Sequence, residues 1–424
     1  MNKINKSPKN GKRRDFLLLS IFFLIITPPL IIIQHNSTPE KESEKETSEL
    51  PEIYIRYDQE IKGNYYIPAV VELNKCIFSS NIKYRGKVSI AFPKKGYRLE
   101  LKGRHSLYGM RIDDDWQLFA NYLDHTRMRT KLAFNLWRSL LPSNPTAILP
   151  ESIFVKLFIN NEFQGLYLLA ERTDRRLFGL DDAQNNLNTS LLLQVPKHHY
   201  NFEEIVHWEQ EYPNEEDGIY IADQIIEDLA LFMKNTSNVE FFDETMGIFS
   251  KFDKKNLIDF YIFNFFILHK DFWSKNYYLV RNSIPSKFFL IPWDFDASFG
   301  KMGWQKFDSN STVYFSGRNL LYLRLVHNKE FIQEVKIRWA ELRADLWTKE
   351  YIFDLITKMY SQIQKVLEID LEMWKPLTVE GDIQTKWPDK VIYSNDEFDL
   401  NEAVQFLYDW IEERLQFCDF YFRL

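Results

Sequence analysis

Apolar and polar residues alternate along the chain from about Glu52 onward, which is the pattern of β-strands with one buried face. Residues 97–102 read Tyr-Arg-Leu-Glu-Leu-Lys, so every second side chain is apolar or aromatic. Two further apolar runs cover residues 153–159 and 163–170, and the polar residues 160–162 between them favour a tight turn. The first part of the chain is therefore predicted to be rich in strands and to contain one clear hairpin.

Helical periodicity dominates the second half of the chain. The predicted helices cover residues 126–141, 219–234 and 255–268 and most of the remainder to residue 424, interrupted near 376–394. A small hairpin is predicted from the strands 276–281 and 287–292. Residues 178–214 are polar and irregular, and they are interpreted as an insertion or a mobile connection.

Strands with a single helix, followed mainly by helices, indicate an α+β protein with two lobes around a cleft. The strand-rich N-lobe is predicted over residues 52–180. The mainly helical C-lobe, which carries the candidate catalytic and metal motifs, is predicted over residues 181–424.

The N-terminal residues have the pattern of a membrane anchor. Residues 1–15 hold six basic residues against one acidic residue, and residues 16–33 are 18 residues without a charge. As a helix this stretch spans roughly 27 Å, close to the apolar thickness of a bilayer. We expect a single transmembrane helix with the N-terminus in the cytoplasm and the main domain outside it, joined by a polar linker over 34–51. A cleaved signal peptide is the alternative, although no small-residue cleavage site follows the apolar run.

Charge and cysteine content exclude several classes of protein. The 424 residues carry 53 Lys and Arg against 60 Asp and Glu, and the basic N-terminus makes the remainder more acidic still. Because nucleic-acid binding needs a clustered excess of Lys and Arg, no nucleic-acid partner is expected. Cys76 and Cys418 alone cannot build a disulfide framework or a cysteine-rich zinc site.

The polar residues after the helix predicted over 255–268 are the strongest candidates for catalysis. His269-Lys270-Asp271 is followed by Asn276, which matches the H-[RK]-D-x-x-x-x-N layout of a protein-kinase catalytic loop. In that layout the Asp orients the hydroxyl that accepts the phosphate, and the Asn binds a metal ion. A helix-capping Asp and a turn Asn would produce the same pair without any chemistry, so the spacing alone leaves both interpretations open.

The second motif, Trp293-Asp294-Phe295-Asp296, follows an apolar strand. It resembles the kinase D-F-G element, whose Asp holds the Mg²⁺ ion that bridges the nucleotide phosphates. Mg²⁺ prefers carboxylate and carbonyl oxygens together with phosphate oxygens. Asn276, Asp294 and Asp296 are therefore the predicted metal ligands, with Mg²⁺ or Mn²⁺ as the ion.

A phosphoryl-transfer site also needs cations for the phosphates. Lys94 and Lys95 precede the alternating strand, and because neighbouring strand residues face opposite ways, one of them is expected in the cleft. Arg129 on the helix of the first half is a further candidate cation, and a solvated helix face is its alternative. Glu171 ends the predicted hairpin and is either a partner of the phosphate-binding lysine, a residue beside the nucleotide base, or an ordinary strand end.

These motifs together resemble the spore-coat protein H (CotH) kinase-like family. The most specific blocks are Arg85-Gly86, the P-K-K-x-Y sequence of residues 93–97 and the W-D-F-D sequence of residues 293–296. The matching segments are 84–86, 92–99, 109–118, 121–131, 159–171, 271–279 and 291–300, and the resemblance extends over about 53–424.

The resemblance implies a two-lobed atypical kinase that transfers the γ-phosphate of ATP to Ser or Thr hydroxyls of a protein. It implies ATP and Mg²⁺ or Mn²⁺ as cofactors, Asp271 as the catalytic residue and Asp294 as a metal ligand. Lys94 or Lys95 would contact the phosphates, and Lys95 is assigned a catalytic role as well. Two alternatives remain open, namely a catalytically silent kinase-like scaffold or adhesion protein and a kinase for a glycan or small-molecule hydroxyl.

Overall fold

The computed structural model describes residues 49–86, 89–195, 208–214, 218–270, 276–302, 305–312, 319–375 and 399–423. The chain separates into two compact units, Met1–Glu46 and Thr47–Leu424. The first unit lies outside the described residues, and so do the predicted basic tail, the predicted anchor and nearly all of the predicted linker. The second unit contains every element described below, and the predicted boundary at residue 180 stays a prediction.

Seven strands of the second unit form one closed sheet. They are β1 (Glu52–Arg56), β2 (Ile67–Leu73), β3 (Cys76–Arg85), β4 (Gly96–Ser106), β5 (Ile112–Phe119), β6 (Ser152–Ile159) and β7 (Glu162–Glu171). Their order is β1-β2-β3-β4-β5-β7-β6, and the parallel pairing of β1 with β6 closes the sheet. The other neighbouring strands run antiparallel.

Alternation along these strands decides which side chains fill the inside of the closed sheet. In β4 the side chains of Tyr97, Leu99 and Leu101 are buried, whereas Arg98 and Glu100 face the opposite side. The interior cluster takes alternate residues from every strand of the sheet, among them Ile53, Ile55, Val71, Ile82, Trp116, Leu118, Val155, Leu157, Tyr167 and Leu169. The outer face is therefore free to carry polar groups or to pack on other elements.

Helix α1 (Arg129–Arg138) lies between β5 and β6 in the chain, and its buried apolar side belongs to a second, larger core. That core also takes the outward-facing Phe119, Leu168 and Ala170 of β5 and β7. A single continuous core thus joins one outer side of the closed sheet to the elements that follow it.

The rest of the described chain combines a small sheet with helices. The small sheet consists of β8 (Leu191–Gln194), β9 (Glu209–Tyr212), β10 (Tyr277–Arg281) and β11 (Phe289–Pro292), in the order β11-β10-β8-β9. A separate short hairpin consists of β12 (Lys301–Met302) and β13 (Gln305–Lys306). The helices are α2 (Ala222–Asn235), α3 (Asn238–Phe241), α4 (Ile248–Lys251), α5 (Lys254–Phe266), α6 (Leu320–Leu325), α7 (Lys329–Glu341), α8 (Lys349–Met373) and α9 (Leu400–Tyr421). Phe295–Ala297 form a 3₁₀ turn.

Helix α5 is the central element of the larger core. All its residues from Asn256 to Phe266 are buried, and the Asp253 side chain caps its first turn by accepting the backbone N–H of Asn256. A helix that is apolar on all sides must be enclosed by other elements. Its carboxyl end leads to His269, so the candidate catalytic residues begin just after this buried helix.

The structure confirms the predicted mixture of strands and helices. The predicted hairpin 153–170 corresponds to β6 and β7, and the predicted helix 255–268 corresponds to α5. The interpretation of 178–214 as an irregular connection is wrong, because β8 and β9 lie within it and extend the small sheet. The predicted interruption near 376–394 falls outside the described residues.

The predicted location in a membrane is wrong. Across the part of the chain that the structure describes, no helix combines the length and the apolar character that a membrane span requires. Helix α8 has 25 residues, yet charged residues recur along it because only one side is buried. Residues 16–33, on which the prediction was based, lie outside the described residues.

Candidate active site

The hairpin of β10 and β11 brings Asn276 and Asp294 to the same end of the small sheet. Asn276 directly precedes β10, and the backbone N–H of Trp293, next to Asp294, donates to the carbonyl oxygen of Asn276 at 2.8 Å. Both residues have left-handed backbone angles, with φ of 67° and 64°. Non-glycine residues adopt this conformation rarely, and such strain is concentrated at functional sites. Two of the predicted metal ligands are thus neighbours.

The middle residue of the Asp-Phe-Asp segment anchors it to the core. The buried Phe295 ring lies 5.8 Å from the ring centroid of Phe134 and 5.9 Å from that of Phe263. Asp294 is exposed and Asp296 is partly buried. Asp294 precedes the 3₁₀ turn, but its side chain makes no capping hydrogen bond to that turn. Helix capping therefore does not explain the carboxylate.

His269 fixes the backbone of Asp294. Its imidazole is buried, and its Nε2 lies 2.7 Å from the carbonyl oxygen of Asp294. Its Nδ1 lies 3.1 Å from Oδ1 of Asn264 on α5. The ring also contacts that of Phe295, with centroids 5.3 Å apart and the ring planes tilted by 36°. Through these contacts the rigid carboxyl end of α5 determines where the exposed carboxylate of Asp294 points.

Arg85, at the end of β3 of the closed sheet, lies within electrostatic range of Asp294 and Asp296, which are called the acidic pair below. Its guanidinium carbon lies 3.7 Å from the ring centroid of Phe119 and 5.8 Å from that of Trp293, and its Nε donates to Oε1 of Gln117 at 2.8 Å. Burial lowers the pKa of Arg85, while the negative charge of Asp294 opposes that shift. A cation is therefore held opposite the candidate metal ligands.

A polar stripe continues from Arg85 across the outer face of the closed sheet. Lys83 pairs with Arg98 across β3 and β4, and Arg98 pairs with Gln117 across β4 and β5, so these side chains share one face. The Nε of Arg98 lies 3.9 Å from Oδ1 of Asp115. Burial raises the pKa of Asp115 to about 6, although Arg98 and Arg176 act in the opposite direction. The stripe thus combines the cations Lys83, Arg85 and Arg98 with the neutral Gln117 and the carboxylate of Asp115.

A pocket of about 190 Å³ lies at the far end of the stripe. Its walls come from the connection after β7, from β8 and β9 and from the closed sheet, and they include Arg104, Asp115, Arg172, Arg176, Glu211 and Tyr212. Burial raises the pKa of Tyr278, and the charges of Glu211 in the pocket wall and of Asp294 act in the same direction. Tyr278 therefore lies within electrostatic range of both the pocket wall and Asp294.

The lysine pair lies in different surroundings. Lys94 is buried, and its Nζ lies 2.5 Å from Oδ1 of Asp370 on α8 and 2.5 Å from the carbonyl oxygen of Leu166. Lys95 is partly buried, and its Nζ donates to the carbonyl oxygens of Ile90 and Phe92 at 2.6 and 2.5 Å. Neither lysine contacts the Asp-Phe-Asp segment through these bonds. Their predicted roles on the phosphates stay predictions.

Arg129 reaches the candidate site from the start of α1. Its Nε donates to the carbonyl oxygen of Ser298, just after the Asp-Phe-Asp segment, at 3.2 Å, and its Nη1 forms an ion pair with Asp124 at 2.6 Å. The alternative of a solvated helix face does not apply to this residue, because Arg129 is buried. Its predicted contact with a cofactor stays a prediction.

Glu171 is buried at the end of β7, and backbone amides occupy both of its carboxylate oxygens. Oε1 accepts the N–H of Arg111 and Oε2 accepts the N–H of Glu151, each at 2.9 Å. These bonds tie the connection before β5 to the one before β6. They do not pair Glu171 with Lys94 or Lys95, so its predicted role with the nucleotide remains untested.

Asp271, the predicted catalytic residue, lies outside the described residues, whereas its neighbours His269 and Asn276 are described. No group of three or more His, Cys, Asp or Glu side chains able to hold a metal occurs among the described residues. A Mg²⁺ ion that also binds nucleotide phosphates needs only one or two protein carboxylates. The donors of Asn276, Asp294 and Asp296 fit that requirement.

The sequence patterns did not identify the functions of two well-placed side chains. Arg85 was part of the Arg85-Gly86 block, yet only the sheet shows that it faces Asp294. His269 was part of the H-K-D motif, yet its bond to the Asp294 backbone depends on how α5 and β11 pack. The available signal was that Arg85 lies in one of the most specific blocks and that His269 lies in the H-K-D motif.

Comparison with known proteins gives two matches. The model of the family described as CotH kinase protein matches residues 82–418. The protein named "Inner spore coat protein H" of Bacillus subtilis (strain 168) is 27% identical over 316 residues, which are 72% of this chain and 82% of that protein. The matched range contains Arg85, Arg98 and both residues of the acidic pair, Asp294 and Asp296.

Proposed function

Because the chain belongs to the CotH kinase protein family, we propose that it is an atypical kinase that transfers the γ-phosphate of ATP to a hydroxyl group. We propose Ser and Thr hydroxyls of a protein as the acceptor. The observation that carries the proposal is the pair Asn276 and Asp294, held side by side in strained backbone and opposed by Arg85.

The proposed fold is a two-lobed kinase-like arrangement. In it the closed sheet corresponds to the N-lobe, and the small sheet with its helices corresponds to the C-lobe. The polar stripe with Arg85 and Arg98 would face the nucleotide on one side, and Asp294 would face it on the other. The cations would come from the proposed N-lobe and the metal ligands from the proposed C-lobe. A kinase cleft requires this division, since closure of the two lobes then brings cations and metal ligands together.

Asn276, Asp294 and Asp296 would hold a Mg²⁺ or Mn²⁺ ion, which when bound neutralises the charge of the phosphates. The protein's own contribution is rigidity. His269 fixes the Asp294 carbonyl, and Phe295 fixes the segment in the core, so the carboxylates need little reorganisation when ligand arrives. Arg85 supplies a partly buried positive charge, which acts more strongly on phosphate oxygens than a fully exposed one.

We further propose that the nucleotide extends from Asp294 along Tyr278 toward the pocket lined by Arg172 and Tyr212. A pocket of about 190 Å³ with aromatic, guanidinium and carboxylate walls offers stacking and hydrogen bonds to a base or sugar. Asp271 would orient the acceptor hydroxyl and attract its proton, an assignment that rests on the H-K-D motif of the sequence alone.

The test of the proposal is Asp271→Asn. The full chain is incubated with ATP labelled in the γ-phosphate, with Mg²⁺ or Mn²⁺ and a protein acceptor, and ATP affinity is measured on the same preparation. Turnover is expected to fall roughly 10²- to 10⁴-fold, because asparagine keeps the shape of the side chain but cannot take a proton. ATP affinity should change only slightly.

Asp228→Asn on the exposed side of α2 is the matched control and should change neither quantity. Loss of ATP binding together with turnover would assign Asp271 to the metal instead. If the wild-type chain neither binds nor cleaves ATP, the kinase proposal fails and a catalytically silent scaffold is favoured. Transfer to a glycan but not to a protein would refute the proposed acceptor alone.

A second prediction concerns the cation opposite the metal ligands. Arg85→Gln should raise the dissociation constant for ATP about 10- to 100-fold, because a charged hydrogen bond or ion pair to phosphate is lost. The affinity is measured by calorimetry. Arg56→Gln is the control, since Arg56 pairs with Glu72 on a partly exposed part of the same sheet. An unchanged ATP affinity in Arg85→Gln would show that Arg85 only supports Gln117 and the aromatic rings.

A further inference from the structure

Lys301 is a buried ammonium group for which the described chain supplies no acidic partner. The residue is 9% exposed, and its Nζ lies 3.4 Å from Nδ1 of His125, a long contact to a neutral type of acceptor. No salt bridge of the described residues includes Lys301. Since a buried charge without a counter-charge destabilises the folded state, this position calls for an explanation.

The surroundings of Lys301 are positive. Burial and the positive charge of Arg129 together lower the pKa of Lys301 to about 8. Burial, followed by the positive charge of Lys301, lowers the pKa of His125 to about 3, so this imidazole stays neutral. The acidic group that acts on Lys301 is Asp124.

Asp124 cannot serve as the missing partner. Its Oδ1 accepts bonds from the backbone N–H and the hydroxyl of Thr126 at 3.0 and 2.7 Å and from Nη1 of Arg129 at 2.6 Å. Its Oδ2 accepts the backbone N–H of Arg129 at 2.7 Å. With both oxygens engaged, its charge is largely taken by Arg129.

Unused donors point the same way. Arg129 is only 1% exposed, and its buried Nη2 atom has no hydrogen-bond partner within the described residues. The Nζ of Lys301 has three N–H donors, and among the described residues it meets one hydrogen-bond acceptor and, at 5.8 Å from the ring centroid, the face of Phe406. Unsatisfied buried donors are rare in folded proteins and are expected where a ligand completes them.

The segment that carries Lys301 is held rigidly next to the candidate metal ligands. Lys301 follows Asp296 by five residues, and its backbone N–H donates to the Ser298 carbonyl that also accepts Nε of Arg129. Gly300 has φ of 75°, and a Cβ there would lie 2.2 Å from Nε1 of Trp410 on α9. The close packing of Trp410 therefore fixes the chain just before Lys301.

We propose that Lys301 and Arg129 form a binding site for a phosphoryl group, separate from the predicted lysine pair and beside the Asp-Phe-Asp segment. The ligand chemistry is a phosphate dianion, which supplies the counter-charge and the oxygen acceptors that these donors lack. The source is either the γ-phosphate of ATP or a phosphate ester on the acceptor. This inference rests on the proposed function for its biological use, while the site itself is testable without it.

Lys301→Met removes the charge and keeps the length of the side chain. Lys306→Met is the matched control, because Lys306 pairs with Lys301 across β12 and β13 and is exposed. Calorimetry on the full chain measures binding of inorganic phosphate, O-phosphoserine, ADP and ATP, with and without Mg²⁺. In Lys301→Met the dissociation constant of at least one phosphoryl probe should rise about 10- to 100-fold, and in Lys306→Met none should change.

Thermal melting of the ligand-free variants provides a second readout. A buried lysine that serves only to bind a ligand lowers the stability of the ligand-free protein. Ligand-free Lys301→Met should therefore melt at the wild-type temperature or higher, and the phosphoryl probe should no longer raise its melting temperature. A dependence on Lys301 for ATP but not for ADP assigns the site to the γ-phosphate. A dependence for phosphoserine but not for ATP assigns it to the phosphorylated acceptor.

Equal affinities of wild-type and Lys301→Met for all four probes would overturn the proposal, and so would a large fall in the melting temperature of the empty variant. The same measurements distinguish failure of this site from failure of the kinase proposal. ATP binding that does not depend on Lys301 refutes the site and leaves the kinase. Lys301-dependent binding of phosphate without any binding of ATP keeps the site and refutes the kinase, and binding of none of the probes refutes both.

Discussion

Asp294→Ala is expected to reduce phosphoryl transfer by roughly 10³-fold or more, because a metal-bridging carboxylate stabilises the transition state by several kcal/mol. The melting temperature should stay within a few degrees of the wild type. Asp294 is exposed, and its side chain makes no capping bond to the turn that follows, so little packing is lost. Metal-dependent ATP binding, γ-phosphate transfer and thermal melting are measured on one preparation.

The backbone of Asp294 calls for a second variant. With φ of 64° the residue is left-handed, a conformation that Asn tolerates better than Ala. Asp294→Asn therefore removes the charge without adding backbone strain, and it should lose metal-dependent binding as fully as Asp294→Ala does. Asp228→Ala on α2 should behave as the wild type. A variant that unfolds in both forms would show that the carboxylate is structural, and the proposed metal site would be wrong.

The local elements of this protein could be predicted because their patterns are short and strong. The alternation of residues 97–102 identified β4, and the apolar stretch of residues 255–268 identified α5. The strands β8 and β9 were missed, since each has four residues and β9 reads Glu-Gln-Glu-Tyr, which carries no apolar alternation. Strand β8 forms because β10 offers an edge for pairing, and β9 forms because it then pairs with β8.

The candidate site could be predicted in part for the same reason. Asn276 and Asp294 belong to recognisable motifs, and the hairpin between them was predicted, so their closeness followed from the sequence. The surroundings of Lys94 and Lys301 did not follow. Lys94 meets Asp370, 276 residues later in the chain, and Lys301 meets His125, 176 residues earlier. Such pairs depend on tertiary packing, and no local pattern encodes them.

The structure shows what Lys94 does in the folded protein. Oδ1 of Asp370 accepts Nζ of Lys94 and the backbone N–H of Leu166, and Oδ2 accepts Nε of Arg127 at 2.9 Å. Gly165 has φ of 100°, and a Cβ there would lie 2.1 Å from Oδ1 of Asp370, so the carboxylate packs directly on the β7 backbone. One carboxylate on α8 thus ties together the strand β7, the chain before β4 and the loop before α1.

The charges of this cluster depend on one another. Burial alone would raise the pKa of Asp370, but the positive charges of Lys94 and Arg127 outweigh it and hold that pKa below its usual value. Burial lowers the pKa of Lys94 to about 7, although Asp370 opposes the shift. Two buried cations share one carboxylate, so the loss of that carboxylate leaves both without a counter-charge.

Asp370→Asn is therefore expected to lower the free energy of unfolding by about 3–5 kcal/mol, the usual cost of leaving buried charges unpaired. The midpoint of urea unfolding and the thermal melt measure the change. Asp354→Asn on the same helix is the control, because Asp354 pairs with Lys358 at the exposed surface and such pairs contribute about 0–1 kcal/mol.

The double variant Lys94→Met with Asp370→Asn separates the ion pair from packing. It removes one of the two stranded cations, so part of the lost stability should return, and the double-mutant cycle should give a coupling of about 0.5–3 kcal/mol. Lys94→Met alone leaves Asp370 paired with Arg127 and should destabilise less than Asp370→Asn. If Lys94→Met instead leaves stability unchanged and weakens ATP binding, Lys94 serves the phosphates as its motif predicted, and the structural role argued for the pair is wrong.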